Sequence, residues 1–274
     1  MKIFDNIYEK YNDIKYISTD PIEFCYSYSN KSDQELIGFI SALFSYGNIN
    51  SIKAFLRKLF NYLGKNPIKF LLDEYTDLPP DLYYRFQTNQ DIHLFLQTLK
   101  SIYLKSNTLE KFFYPENKPT RERIMNFQKF YLNESLKFSK NNKFSPGYKF
   151  LIGSANKDSS NKRYNMFLRW MVRDTFPDLN IYTSFLKSDL LYPLDTHILK
   201  ISKILSLTLR NTPGYKMSAE ITNEFKKFNK NDPLKYDFPL SRLGILKECK
   251  VSYEKTICES CLLKSNCSIY ALPR

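Results

Sequence analysis

The chain has 274 residues, 41 Lys plus Arg against 28 Asp plus Glu, and a formal charge of +13. Hydrophobic residues make up 43% and aromatics 16%, enough for a sizeable core, which excludes a wholly disordered chain. Only seven Gly argue against a Gly-rich phosphate loop, a propeller or a collagen-like repeat, and no apolar run reaches the roughly 18 residues of a membrane span. The opening MKIFDNIYEKYNDIKY carries acids in its first turns and no apolar stretch, so it is not expected to be a signal peptide and the expected location is the cytoplasm. The positive charge fits a nucleic-acid partner or, equally, solvated Lys on many helix faces.

Helical periodicity dominates. Ser32 with Glu35 reads as a capping box ahead of Leu36, Ile37, Phe39, Ile40, Leu43 and Phe44, with Gly47 as the stop. Asn50 is expected to cap a second helix bearing Ile52, Phe55, Leu56, Leu59, Phe60 and Leu63, ended by Gly64. Further helices are predicted over about 67–75, 91–104 and 120–138. The polar stretch SKNNKFSPGYK reads as a loop or domain junction. Beyond it, helices are predicted over about 160–173, 195–206, 216–228 and 233–246. The last is expected to start at Asp232 with Pro233 behind it, and to kink at Pro239. No strand alternation and no internal repeat is visible, so the class expected is all-α.

Four of the five Cys gather as Cys249-x8-Cys258-x2-Cys261-x5-Cys267. In a cytosolic protein such a group reads as a metal site before it reads as disulfides. Four thiolates suit Zn²⁺ or an iron–sulfur cluster, and one close pair with two flanking singles favours the cluster. Cys25 stands apart as a small buried hydrophobe.

The spacing of these cysteines resembles the terminal iron–sulfur loop of endonuclease III and its adenine-glycosylase relatives, C-x6-C-x2-C-x5-C, with the first interval lengthened by two. Upstream, LDTHILKISKIL is similar to the V-D-T-H stretch of the helix-hairpin-helix (HhH-GPD) DNA glycosylase superfamily, and Asp195 falls on its Asp. On physical grounds alone Asp195 is a good N-cap, and a helix start favours a carboxylate as the anion. Lys162-Arg163-Tyr164-Asn165 fits the K-x-x-N or K-x-x-D pattern with which lyase-type members open the second hairpin helix. The resemblance implies that Lys162 is a Schiff-base nucleophile, its amine partly desolvated beside Leu168, Trp170 and Met171, and that Asp195 assists it. His197 is implied to be structural.

Two departures stand out. The hairpin glycines of the superfamily are missing, since Asp158, Ser159 and Ser160 occupy those positions, so Ser hydroxyls or basic side chains would have to anchor a phosphate. The inserted stretch DTFPDLNIYTSFLKSDLLYP, which lengthens the span from Lys162 to Asp195, is expected to reshape the pocket. Nearly the whole chain, through DPIEFCYSY, DQELIGFISALFSYGN, SNKRYNMFLRWMVR, PLDTH and NDPLKYDFPLSRLGIL, resembles an uncharacterised bacterial family of glycosylase relatives. In that resemblance Tyr46 or Asn48 stands near the loop that fills the gap left by a flipped base, although Tyr46 also reads as an ordinary core aromatic. Lys140, Lys143, Lys149, Lys157, Lys162, Arg163, Arg169 and Arg173 face only Asp158 as an acid between 140 and 173, a density suited to phosphates. Phe144, Tyr148, Tyr164 and Trp170 are interleaved with them as stacking surfaces, although Trp170 and Phe167 are expected to face the core.

The organisation expected is one two-lobed helical glycosylase-like domain over 1–246, with N-terminal helices over 1–140, a hairpin and Asp lobe over 145–246, and an active site in the cleft between lobes. A four-cysteine loop follows over 247–274. The activity expected is that of a DNA glycosylase, with or without lyase activity at abasic sites. It would act on DNA (RNA being the alternative) as a monomer, with a [4Fe-4S] cluster or else zinc on Cys249, Cys258, Cys261 and Cys267. The rival expectation is a non-enzymatic nucleic-acid-binding module on the same scaffold, and a zinc-stabilised adaptor for an acidic protein is a third.

Overall fold

A computed structural model describes residues 2–271. The class is all-α. Among the described residues no strand forms, and one isolated antiparallel bridge joins Tyr84 and Gln87. Among the described residues no helix is long and apolar enough to cross a membrane. The chain divides into two compact units. One comprises the chain up to Asp20 together with the chain from Asp158 onward, and the other is Pro21–Lys157.

Helix α1 (Lys2–Tyr11) opens the discontinuous unit. The continuous unit then runs through α2 (Lys31–Leu43), α3 (Ile49–Leu63), α4 (Pro67–Lys69) with a π-helical turn over Phe70–Glu74, α5 (Asn89–Lys105), α6 (Thr120–Leu136) and α7 (Pro146–Ile152). The discontinuous unit resumes with α8 (Lys162–Val172), α9 (Thr196–Ile204), α10 (Tyr215–Lys226), α11 (Asp237–Ile245) and the short α12 (Lys255–Cys258) and α13 (Ser268–Ala271). The stretch around 139–149, junction-like in sequence, lies inside the continuous unit and carries the start of α7.

The core of the continuous unit is aromatic. Phe39 of α2, Phe95 of α5 and Phe127 and Tyr131 of α6 meet ring to ring, and the Tyr131 hydroxyl donates to the Phe95 carbonyl at 2.9 Å. The capping-box expectation fails at α2 for a physical reason. Asn30 caps the helix by accepting from Ser32 N–H at 2.8 Å. Glu35 instead turns inward, where it accepts from the Leu109 N–H at 3.0 Å, the Thr108 hydroxyl at 2.6 Å and the Tyr103 hydroxyl at 2.9 Å. At α3 the cap is Asn48 rather than Asn50, and Gly64 ends the helix in the left-handed region at φ +74.

In the discontinuous unit, α1 closes the core from the far end of the sequence. Phe4 packs on Phe225 and Phe228, while Asp5 accepts from Lys235 Nζ at 2.9 Å and from the Tyr236 hydroxyl at 3.0 Å. Helix α11 begins at Asp237, not at Asp232, so Pro239 sits in the first turn, where its missing N–H breaks no helical bond. Asp232 is not a cap there. It takes the Arg173 guanidinium in a two-pronged pair, Nε and Nη2 donating to its two oxygens at 2.9 Å each.

That pair belongs to a buried network. Arg173 also donates to Asp178, and Arg169 donates to Asp178 at 3.2 Å and to Asp237. Arg242 donates to Asp20 at 3.1 Å and to the Thr19 hydroxyl. Arg169, Arg173 and Arg242 are only 3%, 1% and 1% exposed. Removing one member leaves its partners charged and out of water. Arg173→Met, which strands Asp232 and leaves Asp178 with Arg169 alone, is therefore expected to cost about 3–5 kcal/mol of folding free energy, measured by urea denaturation.

Candidate functional site

The site is built on the starts of α8 and α9. At α9, Asp195 is the N-cap, and its Oδ1 accepts from Ile198 N–H at 2.6 Å, which fixes a half-buried carboxylate at the positive end of the helix. At α8, Lys162 is the first helical residue. Burial pulls its amine below the ordinary lysine value, and Arg163 deepens that depression. Asp195 exerts the strongest opposing pull, with Asp20 and Asp237 adding to it. Lys162 and Asp195 thus interact electrostatically, and Asp20 and Asp237, which sequence reasoning did not single out, belong to the same electrostatic neighbourhood.

The turn ahead of α8 is made without glycine. The left-handed position falls on Asn161 at φ +46, a residue type that tolerates this region. The Ser159 hydroxyl accepts from Asn161 N–H at 3.1 Å, and Asn165 Nδ2 donates to the Ser160 carbonyl at 2.7 Å, tying turn to helix. Tyr215 N–H, at the start of α10, donates to the Asp158 carbonyl at 2.9 Å. Gly214 permits that approach, since a Cβ there would lie 2.9 Å from the same carbonyl oxygen.

The dense basic stretch separates by burial. Lys157 is exposed, and Ser159, Ser160 and Arg163 are partly exposed. Arg169 is buried and held by Asp178 and Asp237, so its guanidinium is a core group and not a surface for phosphate. Arg173 is withdrawn in the same way. Trp170 and Tyr164 are buried and offer no stacking face. A basic pocket of about 310 Å³ lies elsewhere in the discontinuous unit, lined by His197, Lys200, Lys247 and Lys250. His197 packs on Gly244, where a Cβ would lie 2.2 Å from Nδ1, which accounts for the glycine inside α11.

Tyr46 and Asn48 belong to the continuous unit. Asn48 is occupied as the cap of α3. Tyr46 is half-buried and its hydroxyl donates to Gln87 Oε1.

Cys249, Cys258, Cys261 and Cys267 all border one apolar cavity, with Ile204, Ile257 and Leu263 among its walls. Backbone N–H groups reach the sulfurs. Glu254 N–H donates to Cys258 Sγ at 3.4 Å, and Val251 and Leu263 supply backbone bonds to Cys249 and Cys261. Burial raises the Cys249 and Cys261 thiols, and these backbone bonds oppose that rise without cancelling it. Among the described residues, no three of His, Cys, Asp or Glu converge closely enough for a single metal ion.

A family model described as a protein of unknown function (DUF2400) matches residues 20–246. No curated protein and no solved structure matches the chain.

Asp237 offers a direct check on the electrostatics of the site. Burial pushes its carboxyl from 3.8 up to about 6, against the pull of Arg169, with Asp195 adding to the rise. The folded chain therefore holds a proton that the unfolded chain releases, and this group's contribution to stability falls as pH rises from about 4 to about 6. Carboxyl ¹³C NMR is expected to show Asp237 titrating near pH 6, well above an ordinary Asp. A midpoint near 4 would show that Arg169 outweighs the burial.

Proposed function

This chain belongs to the DUF2400 family of proteins of unknown function, and we propose that its activity is DNA repair of the glycosylase type, with lyase chemistry at abasic nucleotides. The observation that carries this reading is the Lys162 amine. Burial favours its neutral, nucleophilic form, and Asp195 is the carboxylate that acts on it most strongly. The motif resemblance at LDTHILKISKIL and KRYN points to the same pair.

In this reading a damaged or abasic nucleotide is taken out of the stack. The Lys162 amine adds to C1′ of the opened sugar, and loss of water leaves an imine. The imine acidifies the C2′ proton. Loss of that proton expels the phosphate on the 3′ side and cuts the strand. Asp195 supplies negative charge beside the cationic imine and can take up the amine's proton. Exposed Lys157, partly exposed Arg163 and the pocket lined by Lys200, Lys247 and Lys250 make up the basic surface that would meet phosphates.

We further propose that Cys249, Cys258, Cys261 and Cys267 hold a [4Fe-4S] cluster. The four sulfurs border one apolar cavity, and one close pair with two flanking singles favours a cluster over zinc. The cluster's part would be to cross-link a C-terminal segment of short helices that buries little apolar surface of its own.

Borohydride reduction in the presence of abasic-site DNA is expected to trap a covalent adduct. The rate of trapping should rise with pH and level off below the ordinary lysine value. Lys162→Ala should abolish the adduct. Asp195→Asn, which can keep the cap, should slow trapping without loss of fold. Binding of abasic DNA with no adduct, and no base release across a lesion panel, would sink the enzymatic reading and leave a binding module. For the cysteines, anaerobically purified protein should be brown and contain iron and acid-labile sulfide in equal amounts. Cys258→Ser should lose most of both, whereas a colourless protein with one zinc per chain would overturn the cluster.

A further inference from the structure

We infer that the continuous unit carries a stacking platform for unpaired nucleobases, formed by Arg85, Phe86 and Phe150 against Tyr46. The inference stands apart from the Lys162 reading, because every residue in it lies within Pro21–Lys157.

The platform begins with a two-residue turn. Tyr84 and Gln87 exchange both backbone hydrogen bonds, at 3.0 and 2.8 Å, and leave Arg85 and Phe86 at the tip. Arg85 sits in the left-handed region at φ +50, an unfavourable conformation for a long side chain. The turn is held in place from below. The Tyr84 hydroxyl donates to the Tyr46 carbonyl at 2.5 Å, Gln87 Nε2 donates to the Gly147 carbonyl at 2.7 Å, and Gln87 Oε1 accepts from the Tyr46 hydroxyl. Glycine is required at both neighbouring positions: a Cβ on Gly147 would lie 2.0 Å from the Phe86 carbonyl oxygen, and Gly47 sits at φ +102, a conformation that side chains rarely adopt.

This well-anchored turn displays apolar and cationic groups to solvent. Phe86 is 54% and Phe150 44% exposed. The ring of Phe86 lies parallel to that of Tyr46, at 2° between planes, and Phe150 stands edge-on to both, 4.9 Å from Tyr46 and 5.2 Å from Phe86. The Arg85 guanidinium lies 5.1 Å from the Phe86 centroid and 5.8 Å from that of Tyr46. It pairs with no carboxylate among the described residues. Exposed Lys149 adds a second cation beside Phe150. Exposed rings with an unneutralised guanidinium, on a chain of charge +13, complement a ligand that alternates flat aromatic faces with anionic groups. A single strand of nucleic acid is that ligand, and a base-paired duplex hides its faces.

The test uses the full-length protein and a fluorescently labelled oligothymidylate, read by anisotropy across a salt series. The wild type is expected to bind the single strand more tightly than the same sequence in a duplex. Phe86→Ala/Phe150→Ala should weaken single-strand binding about 10- to 100-fold with an unchanged salt slope, since stacking carries no counterion release. Arg85→Asn, which tolerates the left-handed turn, should lower the slope by about 0.7. Lys162→Ala should change neither, so loss of the repair chemistry and loss of the platform are distinguishable. The inference is overturned if the double variant, with unchanged melting temperature, binds as the wild type does, or if inorganic polyphosphate competes as well as the oligonucleotide. It is equally overturned if sedimentation shows that the double variant breaks up a dimer, which would assign the rings to a second copy of the chain.

Discussion

Attraction between three guanidinium groups and four carboxylates in a place without water holds the discontinuous unit in one arrangement. Arg169, Arg173 and Arg242 are neutralised by Asp20, Asp178, Asp232 and Asp237, the seven residues being drawn from three separate stretches of the chain. An apolar core of the same volume would be at least as stable, but a buried ion pair tolerates few alternative registers. The last turn of α8 and its C-cap contribute Arg169 and Arg173, so the orientation of that helix, and with it the position of Lys162 at its start, is set by fixed charges and not by oily packing alone.

The same network shapes the chemistry open to Lys162. Asp20 and Asp237, both members of it, pull on the Lys162 amine, yet burial outweighs them and Asp195 together, and the balance tips toward the neutral form. Asp195 differs from the other carboxylates because a helix start already holds it, through the Ile198 N–H. It can therefore answer a change of charge on its neighbour without the core having to move.

The helices were legible in the sequence wherever an apolar stripe recurs with period 3.6, as over Ile52–Leu63 or Ile198–Ile204. Their exact starts were less so. Ser32 and Glu35 have the spacing of a capping box, yet Glu35 gains more by meeting the Leu109 N–H and two hydroxyls than it would at the helix end. Asp232-Pro233 looks like a helix start, yet Arg173 claims the carboxylate. In each case a long-range charged contact outweighed a local preference worth about 1 kcal/mol. The basic run of 140–173 misled in the same way, because periodicity does not reveal that Arg169 and Arg173 lie on the inward face of α8 with acids waiting from other segments. The turn at Tyr84–Gln87 escaped notice because it contains no Gly, Asn or Pro, the residues that announce turns.

The split of one unit into a short leading piece and a long trailing one governs the order in which the chain can assemble. Tyr11 emerges from the ribosome 237 residues ahead of Glu248, its hydrogen-bond partner. Pro21–Lys157 finds its contacts within an unbroken stretch and can collapse while translation continues. Helix α1 cannot. With Phe4 still lacking Phe225 and Phe228, α1 is made well before it can be seated, and until then its apolar stripe remains open to water or to a chaperone.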